Sequence, residues 1–166
     1  MKTGRLLARL TIGGLFAAHG LQKWKGWWEG PGFEGTVGMT GNLGLHPARR
    51  NAHAVAGTET IGGAMIAAGA LTPVAATGLI ATMFTAIHKV HFKSGPWNTN
   101  GGYEFNLALI AGLLLIVDGG PGTPSLDSAL GIDDTGSGWA LAALAAGAAG
   151  SALAIEAGKR AAPVED

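Results

Sequence analysis

The chain has 166 residues, of which 48% are hydrophobic and 13% charged, where about a quarter charged is typical. Its formal net charge of zero removes the electrostatic case for a nucleic-acid partner. The absence of cysteine excludes disulfides and any thiol, persulfide or thiolate-metal chemistry performed by the chain itself. With 29 glycines and abundant alanine, this balance points to an all-α membrane protein, because small residues let helices approach closely in lipid, where no hydrophobic force draws them together.

Residues 6–21, LLARLTIGGLFAAHGL, predict a first membrane-spanning helix that begins near Gly4, with Arg5 and Arg9 snorkelling at its entry. A signal peptide has a run of similar length, but Ala17-Ala18-His19 is a poor cleavage site. Gly13 with Ala17, and Gly14 with Ala18, form small-residue ridges for a neighbouring helix. His19 and Lys23 are four apart and share a face at its far end, beside an aromatic belt of Trp24, Trp27 and Trp28; alone they read as interfacial polar groups. Residues 30–47 contain no spanning run. They predict a turn at Gly30-Pro31-Gly32 and then a surface helix or re-entrant piece, a lid or rim with Phe33, Val37 and Leu45 towards apolar surroundings.

The second spanning segment, 52–71, carries Glu59 between Thr58 and Thr60. A charged group at a helix centre in lipid costs roughly 2.5 to 3.5 kcal/mol, so this carboxylate is a functional candidate, or is protonated, or pairs with His19 or Lys23 to hold the bundle together. Thr72-Pro73 ends the segment, and Pro73 suits the first turn of the next, so the two form an antiparallel hairpin. The third segment, 73–92, ends in His88 and His91, whose spacing of three places both imidazoles on one helical face in line with Phe84. The hairpin brings His19, Lys23, Glu59, His88 and His91 to one membrane level. Pro96, Trp97, Asn98 and Gly101-Gly102 predict irregular backbone before a fourth segment, 103–117. Glu104 lies in its first turn, where the helix dipole favours a carboxylate and where it can also join the cluster.

His19-Gly20 with Lys23, the Gly30-Pro31-Gly32 turn, Glu59, the 88–93 end of the third segment, Asn98 and Gly101-Gly102-Tyr103-Glu104 stand in the order and spacing of the DoxX family. The chain resembles that family over about residues 6–130, including Pro121-Gly122 and Ser125-Leu126-Asp127. The resemblance implies a four-helix transmembrane bundle over 1–130. Some members of the family are named as subunits of thiosulfate:quinone oxidoreductases or quinol oxidase systems, and others are linked to membrane-associated oxidative-stress complexes.

The chain departs from the four-helix pattern after Gly131. A polar linker at 131–138 leads to an apolar run at 139–158, long enough for a fifth, C-terminal transmembrane helix, and a polar tail at 159–166. Ala142, Ala146, Gly150, Ala154 and Gly158 make a ridge that packs on the bundle or on another subunit; an Ala-rich soluble helix is the alternative. With five spans, Lys2, Arg5 and Arg9 lie on one side and the other eight basic residues opposite, so the positive-inside rule puts the N-terminus outside. The expected location is the plasma membrane of a prokaryote, multi-pass.

Two functions are expected. In the first, the chain is a membrane subunit of a quinone-linked oxidoreductase system. Glu59, His88, His91 and Glu104 are its catalytic candidates, and His19, Lys23, Asn98 and Tyr103 its cofactor-binding ones. Histidine would hydrogen-bond a quinone carbonyl, while Glu59 or Glu104 relays a proton. A variant has His19, His88, His91 and a carboxylate holding Fe or Zn, although HxxH is a weak ligand signal. No flavin or haem motif is present. In the second, the chain is a non-catalytic scaffold or assembly factor for redox partners, its polar cluster serving as internal glue. The expected partners are membrane lipid, other subunits of a redox complex and a second copy of the chain in a homo-oligomer.

Overall fold

A computed structural model describes residues 3–162, and every regular element in them is helical. The helices are α1 (Thr3–Lys25), α2 (Gly32–Asn42), α3 (Ala48–Ala68), α4 (Thr72–Ala86), α5 (Glu104–Gly119), α6 (Leu126–Ala129) and α7 (Ser137–Arg160). A π turn, Ile87–His91, extends α4 into the loop that leads to α5.

Small residues set the first packing. Gly13 of α1 lies against Gly63 and Ala67 of α3 so closely that a Cβ there would strike their backbone, and a Cβ at Gly63 would strike Ala17. Gly20 meets the backbone of Thr60 in the same way. The ridge of Gly13 and Ala17 is thus a helix seam, whereas Gly14, on the parallel ridge, has nothing within 4 Å. Phe16 and Ile66 pass from this seam into a core completed by Leu79, Ile80 and Met83 of α4 and Leu109, Leu113 and Val117 of α5.

α7 packs along α4 and α5. The face it buries is Ala143, Gly147, Ser151 and Ile155, with Gly158 beyond, and at Gly147 a Cβ would collide with Ile80. Of the expected ridge of Ala142, Ala146, Gly150, Ala154 and Gly158, only Gly158 is buried, so most of it is not the packed face. It runs one residue over, half-facing outward, because Gly147 is the position that lets the α7 backbone reach Ile80 and Thr77 of α4.

Arg9 corrects another expectation. It does not snorkel: it is 2% exposed, and its guanidinium donates to the carbonyls of Pro121 at 3.0 Å and Pro124 at 2.7 Å. Those carbonyls lie in the irregular segment before α6, which has no helical partners for them. Close by, the Asp127 carboxylate accepts from the backbone N–H of Leu71 (2.7 Å), and from the backbone N–H (3.0 Å) and hydroxyl (2.6 Å) of Thr72, capping α4 from a distant segment. The α3–α4 turn and the chain after α5 are thereby fastened together at the end of the bundle that holds the N-terminus of α1.

Two stretches among the described residues are long and apolar enough to cross a membrane: Thr72–Ser94, with mean hydropathy 1.2, and Ser137–Arg160, with 1.6. The other three long helices fall short for distinct reasons. α5 has 16 residues, while α1 and α3 each carry several charged side chains. Yet every long helix turns a large aliphatic side chain outward: Leu7, Ile61, Val74, Leu115 and Leu153 are each more than half exposed.

Candidate functional site

At the opposite end from Arg9, the last turn of α1, the first half of α3 and the end of α4 converge on a cavity of about 520 Å³. α2 forms part of its rim. The Thr36 hydroxyl donates to the Lys23 carbonyl at 3.1 Å and the Thr40 hydroxyl to the Ala48 carbonyl at 2.8 Å, which pins α2 across the ends of α1 and α3. Met39 and Thr40 of α2 and Leu43 just after it line the space, so the 30–47 segment contains a helix that borders the site. Trp24 is half-buried. It stacks on Phe33 with ring centroids 5.2 Å apart, and His53 packs against both. Trp27 and Trp28 remain exposed.

The charged centre of the cavity is an ion pair. Lys23 Nζ donates to Glu59 Oε2 at 2.5 Å, with the Glu59 side chain 6% exposed and that of Lys23 18%. Gly20, one turn before Lys23, allows the approach of α1 to Thr60 that makes this reach short. His19 lines the cavity from the same end of α1.

His88 and His91 part company. In the π turn the hydrogen bonds run to the fifth residue, so residues three apart no longer share a face. His91 lines the cavity, and its Nδ1 lies 2.7 Å from the Gly101 carbonyl, a position from which only a protonated nitrogen can bond. His88 is exposed and off the cavity. The shared histidine face expected from a regular helix does not form.

Asn98 reaches the rim of the cavity. Glu104 and Tyr103 stand behind it: a Glu104 carboxylate oxygen accepts the backbone N–H of Asn98 at 2.6 Å, and Tyr103 stacks on Phe92 at 6.2 Å. Both therefore shape the loop between α4 and α5, outside the lining. His19, Lys23, Glu59, His91 and Asn98 are the expected residues that share the cavity. Among the described residues, no three His, Asp or Glu side chains come together to hold a metal ion, so the set of His19, His88, His91 and a carboxylate is not assembled for Fe or Zn.

The remaining wall is more apolar than its residue types imply. The hydroxyls of Thr40, Thr82 and Thr85 are bonded to helix carbonyls, at 2.8 Å to Ala48, 2.8 Å to Leu79 and 2.9 Å to Ala81, while Thr58 has no hydrogen bond among the described residues. Thr85 is also bonded to Ser151 of α7 at 2.9 Å. Gly150, Ser151 and Ala154 of α7 line one side, and Asn106 of α5 another. Asn106 was readable as a lone carboxamide in the apolar run after Tyr103, but nothing in the sequence said that it turned inward.

The sequence model of the DoxX family matches residues 4–92, more than half of the chain. The chain belongs to the DoxX family. The match includes α1, α3, α4 and, of the cavity residues, His19, Lys23, Glu59 and His91; α5 and α7 lie beyond it. The chain is similar to the Bacillus subtilis protein named "Putative oxidoreductase CatD", at 32% identity over 106 residues, which cover 64% of this chain and 72% of that protein. It is also similar to an uncharacterized protein of Haemophilus influenzae, at 30% identity over 125 residues, covering 74% of this chain and 80% of that protein. No solved structure matches. DoxX proteins are membrane-associated, in keeping with the two apolar stretches of this chain.

Proposed function

We propose that this DoxX protein is a multi-pass membrane subunit of a quinone-linked oxidoreductase system and that its cavity takes a lipid-soluble quinone or a similarly apolar redox substrate. The observation that carries this reading is the cavity itself. About 520 Å³ of space lies behind walls on which the hydroxyls of Thr40, Thr82 and Thr85 are already bonded, with its charge concentrated in the Lys23–Glu59 pair. Such a site favours a ligand that is mostly apolar with a few polar atoms. Quinone reduction consumes two protons along with two electrons. A carboxylate paired with an ammonium is suited to passing on a proton, and His91, with Nδ1–H held by Gly101, has Nε2 left to accept a hydrogen bond. The electrons would come from a redox partner. The name of the Bacillus relative supports an oxidoreductase role, the outward aliphatic residues on all five long helices support five spans, and the distribution of basic residues supports an N-terminus outside.

The test is Glu59→Gln. Quinone reduction in native membranes should fall at least tenfold while the protein still inserts. Undiminished turnover by an inserted Glu59→Gln protein would overturn the catalytic reading. One observation favours a scaffold instead: Lys23 and Glu59 satisfy each other and can serve as internal glue. In that case Glu59→Gln would reduce the amount of folded protein and the recovery of its partners, and the partners' activity per recovered complex would be unchanged.

A further inference from the structure

Among the described residues, one deeply buried polar side chain on the cavity wall has only a weak partner. Asn106, in the first turns of α5, is 6% exposed and lines the cavity together with Phe105 and Leu109. A carboxamide offers two donor hydrogens and two acceptor lone pairs. Among the described residues Asn106 makes one hydrogen bond, from Nδ2 to Met83 Sδ at 3.4 Å. A thioether is a weak acceptor and no donor, so this contact keeps Nδ2 on the Met83 side and leaves Oδ1 and the second N–H unspent. Those groups open into the cavity and are free to pair with a molecule that fills it, a capacity that a leucine there would not have. The contrast with Thr40, Glu59 and Ser151, the other deeply buried polar side chains of the lining, each bonded to an oxygen or nitrogen partner, sets Asn106 apart.

We infer that Asn106 is a ligand-anchoring residue, pairing with a ring carbonyl or hydroxyl of the apolar molecule in the cavity. The inference rests on the quinone reading above and adds a determinant of ligand choice. The carboxamide donates to a carbonyl and accepts from a hydroxyl without titrating, so it holds the oxidised and reduced forms alike. Proton movement is left to the Lys23–Glu59 pair. Met83 acts as a positioning residue, through the orientation it gives the amide.

The test is a titration of full-length protein in detergent with two probes, decyl-ubiquinone and dodecylbenzene, the second apolar and without oxygen. Asn106→Leu should weaken decyl-ubiquinone binding roughly tenfold and leave dodecylbenzene unchanged or tighter. Met83→Leu, nearly equal in volume, should lower the preference for the quinone about threefold and covers the case in which Asn106→Leu does not fold. An unchanged preference in a folded variant, or equal losses for both probes, overturns the role of Asn106 while the quinone site stands. Failure of the wild-type protein to bind decyl-ubiquinone overturns the quinone site, and the anchor with it.

Discussion

Glu59 sits 6% exposed with Lys23 against it, and that pairing separates two kinds of importance. Removing one member of a buried ion pair strands the other charge, at a cost of roughly 3–5 kcal/mol, whereas replacing both with apolar groups of similar size is often neutral or better. Lys23→Met alone should therefore lower the unfolding midpoint in detergent markedly, and Lys23→Met with Glu59→Met should recover most of the loss. If the pair is also chemical, the doubly substituted protein will be folded and inactive. At the other end, Asp127→Ala leaves the N–H groups of Leu71 and Thr72 and the Thr72 hydroxyl without their acceptor, and should destabilise the protein by about 2 kcal/mol in the same assay. Glu59 and Lys23 were legible in the sequence because charge in an apolar run must be answered by a partner. Asp127 was visible only as part of a motif, since its partners lie more than fifty residues away.

Among the elements, the α1–α3 seam depends on positions where the backbones nearly touch. Gly63→Leu should abolish accumulation of folded protein, while Gly14→Leu, with nothing within 4 Å of its glycine, should accumulate and melt like the wild type. A similar outcome for both would mean that the seam is not where the structure puts it. The sequence showed both ridges of α1 and could not choose between them, because each repeats small residues every four positions. In α7 the same ambiguity led one residue astray. The π turn is a third case: HxxH promises one face for both histidines if the helix is regular, and the wider turn sends His88 to the surface. No local residue pattern announced that turn. It joins the apolar helix to a loop held by the bonds of His91 to Gly101 and Glu104 to Asn98.

For the whole molecule, the cysteine-free chain makes topology measurable. Single substitutions Trp28→Cys and Thr99→Cys should react with a membrane-impermeant maleimide from one side of the membrane and Thr123→Cys from the other; labelling of all three from one side would remove the five-span arrangement. Deleting the chain from residue 132 onward takes away Gly150, Ser151 and Ala154, and should open the cavity and weaken decyl-ubiquinone binding several-fold even if the remaining bundle inserts. The sequence by itself determined the helical class, the DoxX membership, the hairpin of α3 and α4, and the end of the bundle at which charge would collect. Those follow from composition, helix-breaking prolines and glycines, and the cost of charge in lipid, all of which act locally along the chain. Only the tertiary structure decided that Lys23 is the partner of Glu59, that Arg9 is buried, that α7 walls the cavity and that Asn106 faces it. Each of these depends on the rotation of one helix against another, which is set by the summed contacts of side chains far apart in sequence.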